Sequence, residues 1–67
     1  MKVYYLIYSW QLIPEVFLYK SVEDLKWSWI DYATSDGAYT KEEAEQSFFE
    51  GYASWHDVEL RWGAEHV

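Results

Sequence analysis

The sequence predicts an α+β domain of order ββααβ, a small three-stranded sheet with a two-helix pair packed on one face. Three observations predict it. Residues 1–20 hold two runs of strand-forming residues, 3–10 and 16–19, on either side of the only proline. Segments beginning at Ser21 and Thr40 start with helix-capping residues and continue with apolar residues at helical spacing. After Ser54 the apolar period falls to two, as in a strand.

The first strand, residues 3–10, is β-branched and aromatic and has no Gly or Pro. Val3, Tyr5, Ile7 and Ser9 share one face, and Tyr4, Leu6, Tyr8 and Trp10 the other. Both faces are apolar or amphipathic, which suits a central strand. Pro14 places a turn or irregular connection across residues 11–15. Residues 16–19 then complete a hairpin.

Ser21 is a good helix N-cap, with Asp24 three residues on and Glu23 in the positively polarised first turn. Val22, Leu25, Trp29 and Tyr32 or Ala33 recur at helical spacing. The helix should end near Thr34, because Ser35-Asp36-Gly37 is turn chemistry. Thr40 and Glu43 form a capping box that opens the second helix. Ala44, Phe48, Gly51 and Tyr52 make its expected buried stripe. Val58, Leu60 and Trp62 alternate with Asp57, Glu59 and Arg61 in a half-buried strand ending at Gly63, and residues 64–67 read as a loose tail.

Sixty-seven residues make one domain, 1–67. Cysteine is absent, so neither a disulfide nor a thiolate metal site can staple the fold. Stability must come from aromatic packing or self-association. The chain has five Trp, seven Tyr and three Phe, and each ring carries about 150–250 Å² of buriable surface. A domain of this size hides only about 60% of the surface its unfolded chain exposes. Some rings must therefore remain exposed. The absence of cysteine also points to a cytoplasmic setting (host cytoplasm if phage encoded). Tyr interrupts the apolar N-terminal run, which has no small-residue cleavage site, and nothing approaches the length of a membrane span.

Twelve Asp and Glu against five Lys and Arg give a net charge of −7. Such a chain repels nucleic-acid phosphates and anionic lipid, but meets basic protein surfaces readily. On the first helix Asp24, Trp27 and Asp31 fall opposite Leu25, with Glu23 at the margin. On the second, Glu42, Glu43, Gln46 and Glu50 fall opposite Ala44. Carboxylates three or four residues apart sit about 5–6 Å apart at Cβ, a spacing that crudely imitates backbone phosphates. First-turn capping accounts for Glu23, Asp24, Glu42 and Glu43, but it does not account for the lack of a cation in either last turn. Trp10 and Trp55 are expected to close the ends of the core, and Trp27 to meet a partner or another copy of this chain.

Catalytic signatures are missing. There is no Cys nucleophile, glycine-rich phosphate loop or paired His at ligand spacing. His56-Asp57 with Glu59 is the nearest approach to an acid–base or metal group, and strand geometry would point its successive side chains to opposite faces. No enzyme activity, cofactor or metal is expected. Size, acidity and aromatic content resemble those of small phage or mobile-element proteins that disable host defence, a likeness of composition. The expected function is a non-enzymatic inhibitor docking Glu23, Asp24, Trp27, Asp31, Glu42, Glu43 and Glu50 on a basic nucleic-acid-binding protein. The alternative is a homo-oligomeric assembly or adaptor module using exposed aromatics and sheet edges.

Overall fold

A computed structural model describes residues 1–35 and 37–67. The described elements are β1 (Lys2–Trp10), β2 (Ile13–Tyr19), α1 (Val22–Ser35), α2 (Lys41–Glu50), β3 (Tyr52–Trp55) and β4 (Val58–His66). The four strands form one antiparallel sheet of order β2-β1-β4-β3, with both helices on one face. The order is therefore ββααββ with four strands, correcting the expected ββααβ with three. The extra strand is β3. Tyr52 belongs to it and is exposed, not part of a buried helical stripe. Gly51 ends α2 in the left-handed conformation, φ 81°, and its N–H bonds to the carbonyls of Ser47 and Phe48. Four residues directly after a helix are too few to show a period of two in sequence.

Both hairpins turn on two residues. Gln11 and Leu12 have φ of 51° and 67°, both left-handed, as a type I′ turn requires. The turn precedes Pro14, and β2 starts three residues earlier than the run 16–19. Pro14 pairs with Ser9 inside β2, which is tolerated because β2 is a sheet edge. His56 takes φ 50° in the β3–β4 turn. The Gln11 N–H donates to the Asp57 carbonyl at 3.0 Å, joining the two turns at one end of the sheet.

The expected loose tail is strand. β4 pairs with β1 from Val58 opposite Trp10 to His66 opposite Lys2. Beyond it Met1 and Val67 exchange hydrogen bonds, Met1 N to Val67 O at 2.9 Å and Val67 N to Met1 O at 2.7 Å. Gly63 does not end the strand. It lies opposite Tyr5, whose ring fills the space that a side chain at 63 would take.

The helix signals are realised locally. The Ser21 hydroxyl accepts from Asp24 N at 3.2 Å, and the Thr40–Glu43 capping box is complete. Gly37 has φ 73°, and its N–H donates to Thr34 O at 3.0 Å; the Asp36 position of that turn lies outside the described residues. Leu25, Trp29, Ile30 and Ala33 of α1 face Ala44, Ser47 and Phe48 of α2 and Leu6 and Leu60 of the sheet. Trp29 is fully buried, and its indole N–H donates to the Ser47 hydroxyl at 3.0 Å. That hydroxyl in turn donates to the Ala44 carbonyl at 2.8 Å. Trp62 stacks on Phe48, centroids 4.7 Å apart and planes at 7°, and donates its N–H to the Phe48 carbonyl at 2.7 Å. Among the described residues, no buried side-chain polar atom lacks a partner.

Two substitutions test this packing in denaturant titrations. Ser47→Ala strands the Trp29 N–H in the core and should cost about 1–3 kcal/mol. Gly51→Ala forces a Cβ into left-handed backbone and should cost about 1 kcal/mol or more. A neutral Ser47→Ala would remove the indole–hydroxyl bond from the core.

Candidate protein-binding interface

All seven expected contact residues are exposed and lie on the outer helical layer. Glu23 and Asp24 occupy the first turn of α1, with Trp27 and Asp31 further along it. Glu42 and Glu43 occupy the first turn of α2, and Glu50 its last residue. Two of the carboxylates have local duties. Glu43 Oε1 accepts from Thr40 N at 3.0 Å, and Glu50 Oε1 accepts from the Gln46 amide at 3.3 Å. Neither helix has a basic residue in its last turn. The two helices together hold seven carboxylates and two lysines, five of the chain's seven net negative charges.

The two lysines are not scattered among the acids. Lys41 Nζ lies 5.9 Å from the Trp27 ring centroid, and Lys26 Nζ lies 5.3 Å from that of Phe49. Each aromatic ring exposed on this layer thus has an ammonium over it, an arrangement worth about 0.5–1 kcal/mol at an exposed site. Trp27 remains 59% exposed and Phe49 70%. Phe49 joins the candidate surface although its sequence position gave no signal beyond being beside the buried Phe48.

The other tryptophans divide. Trp55 is buried as expected, edge-on to Tyr39 at 5.4 Å. Tyr39 anchors that corner by bonding through its hydroxyl to both Ser54 N and Ser54 O. Trp10 is 52% exposed and does not close the core. It is the last residue of β1 before the turn and pairs there with the exposed Ile13.

Comparisons with family models, curated proteins and solved structures return no match.

His56, Asp57 and Glu59 border a shallow open depression with Ser9 and Ser54. His56 and Asp57 form the β3–β4 turn itself. Among the described residues, no group of three His, Cys, Asp or Glu is placed to hold a metal ion. No helix among them is long and apolar enough to cross a membrane.

The face of the sheet away from the helices was missed. Strand alternation puts Val3, Tyr5 and Ile7 of β1 beside Pro14, Val16 and Leu18 of β2 on that face. Val16 and Leu18 are each more than half exposed. Toward β3 the face becomes polar: Arg61 reaches Glu59 at 4.0 Å and lies over the Tyr52 ring at 5.4 Å.

On the covered face, Tyr32 of α1 packs on Tyr8 at 4.9 Å and on Phe17 at 6.1 Å. Burial raises its phenol above the ordinary value, with smaller contributions from Tyr19, Glu15 and Tyr8. A raised folded-state value favours the protonated form. Its contribution is thus intact below the unfolded value, near 10, and is lost as pH rises through the folded one. Tyr32→Phe should flatten the fall in stability above about pH 10, read as denaturation midpoints from pH 8 upward. An unchanged alkaline limb would assign that fall to other groups.

Proposed function

We propose that this chain is a non-enzymatic, protein-binding inhibitor that acts in the cytoplasm. It docks its acidic helical layer on a basic, nucleic-acid-binding surface of a larger protein. The observation that carries the reading is the segregation of charge: seven carboxylates stand on the two helices, one of which also carries the more than half-exposed Trp27. A cleft shaped for phosphates meets in this layer an array of anions on rigid helices, with aromatic anchors between them. Long-range attraction speeds encounter, and the rings supply the desolvated contact that slows release. Direct nucleic-acid binding is disfavoured by the same charge.

Lys41 and Lys26 add a specific element. To bury Trp27 or Phe49 against a basic partner, each ammonium must swing off its ring, where it can pair with neighbouring carboxylates. The rings then become available where a cationic partner side chain, above all arginine, can stack.

The composition fits the small proteins by which phages and mobile elements disable host defence. The partner class is therefore a host defence protein that grips nucleic acid, a CRISPR effector or a restriction enzyme. A competitive mimic of nucleic acid is the mechanism this surface supports.

The immobilised chain should retain such proteins from a host extract at low salt and release them to heparin or duplex DNA. Combined Glu23→Gln, Asp31→Asn, Glu42→Gln and Glu50→Gln should slow association at low salt by about tenfold or more. Trp27→Ala should weaken the complex by about 2 kcal/mol, mainly through faster dissociation. Retention that ignores salt and survives the four neutralisations would overturn the reading.

A further inference from the structure

At one corner of the sheet β1 outruns β2. The pairing of the two strands ends with Tyr4 opposite Tyr19, and the chain then leaves the sheet to enter α1 at Val22. Lys2 and Val3 still pair with β4 on their other side, but β2 gives them no neighbour on this one. The gap is an open pocket of about 510 Å³ lined by Met1, Lys2, Val3, Leu18, Tyr19 and Lys20. Its lining is mainly apolar. Leu18 is 70% exposed, and strand alternation puts Val3 on the same face.

Charge sets this corner apart. The chain has twelve Asp and Glu against five Lys and Arg. Two of those five cations line the pocket, and no Asp or Glu does. The other three are engaged elsewhere: Lys26 and Lys41 lie over Phe49 and Trp27, and Arg61 meets Glu59. Lys2 lies over the Tyr4 ring at 5.7 Å. Among the described residues, neither Lys2 nor Lys20 is paired with a carboxylate. Glu65, opposite Val3 on β4, stays outside the lining.

We propose that this corner binds an anionic amphiphile, a small molecule of the fatty-acid kind with an apolar tail and one anionic head. The tail covers Val3 and Leu18, which removes exposed apolar surface from water. The aliphatic stems of Lys2 and Lys20 extend that surface while their ammoniums reach the head. Charge complementarity selects the occupant. A cationic ligand is repelled by both lysines, and a neutral one gains no Coulomb attraction from them. A bare inorganic anion has no use for the apolar lining and meets a chain of net charge −7. Ammoniums are point charges, so a carboxylate head and a phosphate head share the chemistry required. The volume lies within the range of about 300–1,000 Å³ usual for small-molecule sites. None of the lining residues belongs to the acidic helical layer, so this inference does not depend on the inhibitor reading.

Amide NMR titration of the 15N-labelled chain with sodium octanoate tests it. Saturable shifts should centre on residues 2–3 and 18–20, with a dissociation constant in the low millimolar range or below. Nonanoate should bind about threefold more tightly through its added CH2. Octyl phosphate should move the same resonances, and the tighter of the two heads identifies the preferred anion. Octanol and octyltrimethylammonium should bind at least about fivefold more weakly than octanoate. Lys2→Gln and Lys20→Gln should each weaken octanoate about threefold and together about tenfold, while Leu18→Asn should weaken it about fivefold. Arg61→Gln removes a cation outside the pocket and should leave the affinity unchanged, which separates local charge from net charge. Absence of a saturable shift up to about 20 mM octanoate would overturn the inference. So would octanol binding as tightly as octanoate, shifts spread over the whole surface, or a double lysine variant that binds like the parent.

Discussion

The indole of Trp29 lies where α1, α2 and the sheet meet. It is the largest fully buried side chain of the described residues. A ring of that size fills the space between two helices and a sheet that Leu25, Ala33 and Ala44 alone would leave open. Its N–H would be costly there without an acceptor. Ser47 supplies one and hands its own proton to Ala44, the carbonyl three residues back on α2. This relay fixes how α1 and α2 lie against each other. Phe48, next to Ser47, meets the Trp29 edge at 6.0 Å and stacks on Trp62 of β4 on its other side. The aromatic surplus of the chain thus acts largely as a stapling system, with hydrogen bonds supplying the direction that stacking alone lacks.

Both described helices lie on one face of the sheet, and among the described residues nothing covers the other. β1 shows the consequence. Leu6 is fully buried under the helices with Tyr4 and Tyr8 beside it, while Tyr5 and Ile7 on the other side are only half-buried. Tyr5 makes its own shelter by lying over Gly63, and a longer residue at 63 would displace it. The placement of glycine there is a packing feature of the outer face, although in sequence it reads as a strand terminator.

The helices were legible because their signals are local. Ser21, Thr40 and Glu43 act within three residues of where they stand, and the buried positions 25, 29, 33, 44 and 48 recur at helical spacing. The strands were less so, because pairing decides them. Nothing local in Gln11-Leu12 marks a left-handed turn; the hairpin forces it, and Pro14 made the expected turn too long, so that β2 starts three residues earlier than the run 16–19. β3 is four residues long, and the end of β4 passes through Gly63 and Ala64, where alternation stops being visible. The acidic layer was legible because solvent-facing helix positions follow from the buried ones. The apolar outer face was not, although both faces of residues 3–10 are visibly apolar. That pattern indicates burial on both sides only when the chain has two layers to provide it, and this one has a single layer.

The chain therefore presents two surfaces that obey opposite rules. The helical layer is strongly anionic, so it acts at a distance and its effect fades with salt. The β1–β2 half of the outer sheet face is apolar, and attraction between such surfaces acts only at contact and is not screened by salt. A single surface combining both characters would attract basic partners and also adhere to unrelated apolar ones. The two characters lie on opposite sides of one layer of strands. Lys26 and Lys41 lie over the rings of Phe49 and Trp27, which remain largely exposed. The two helical lysines thus lie over exposed rings, while the last turns of both helices carry no cation.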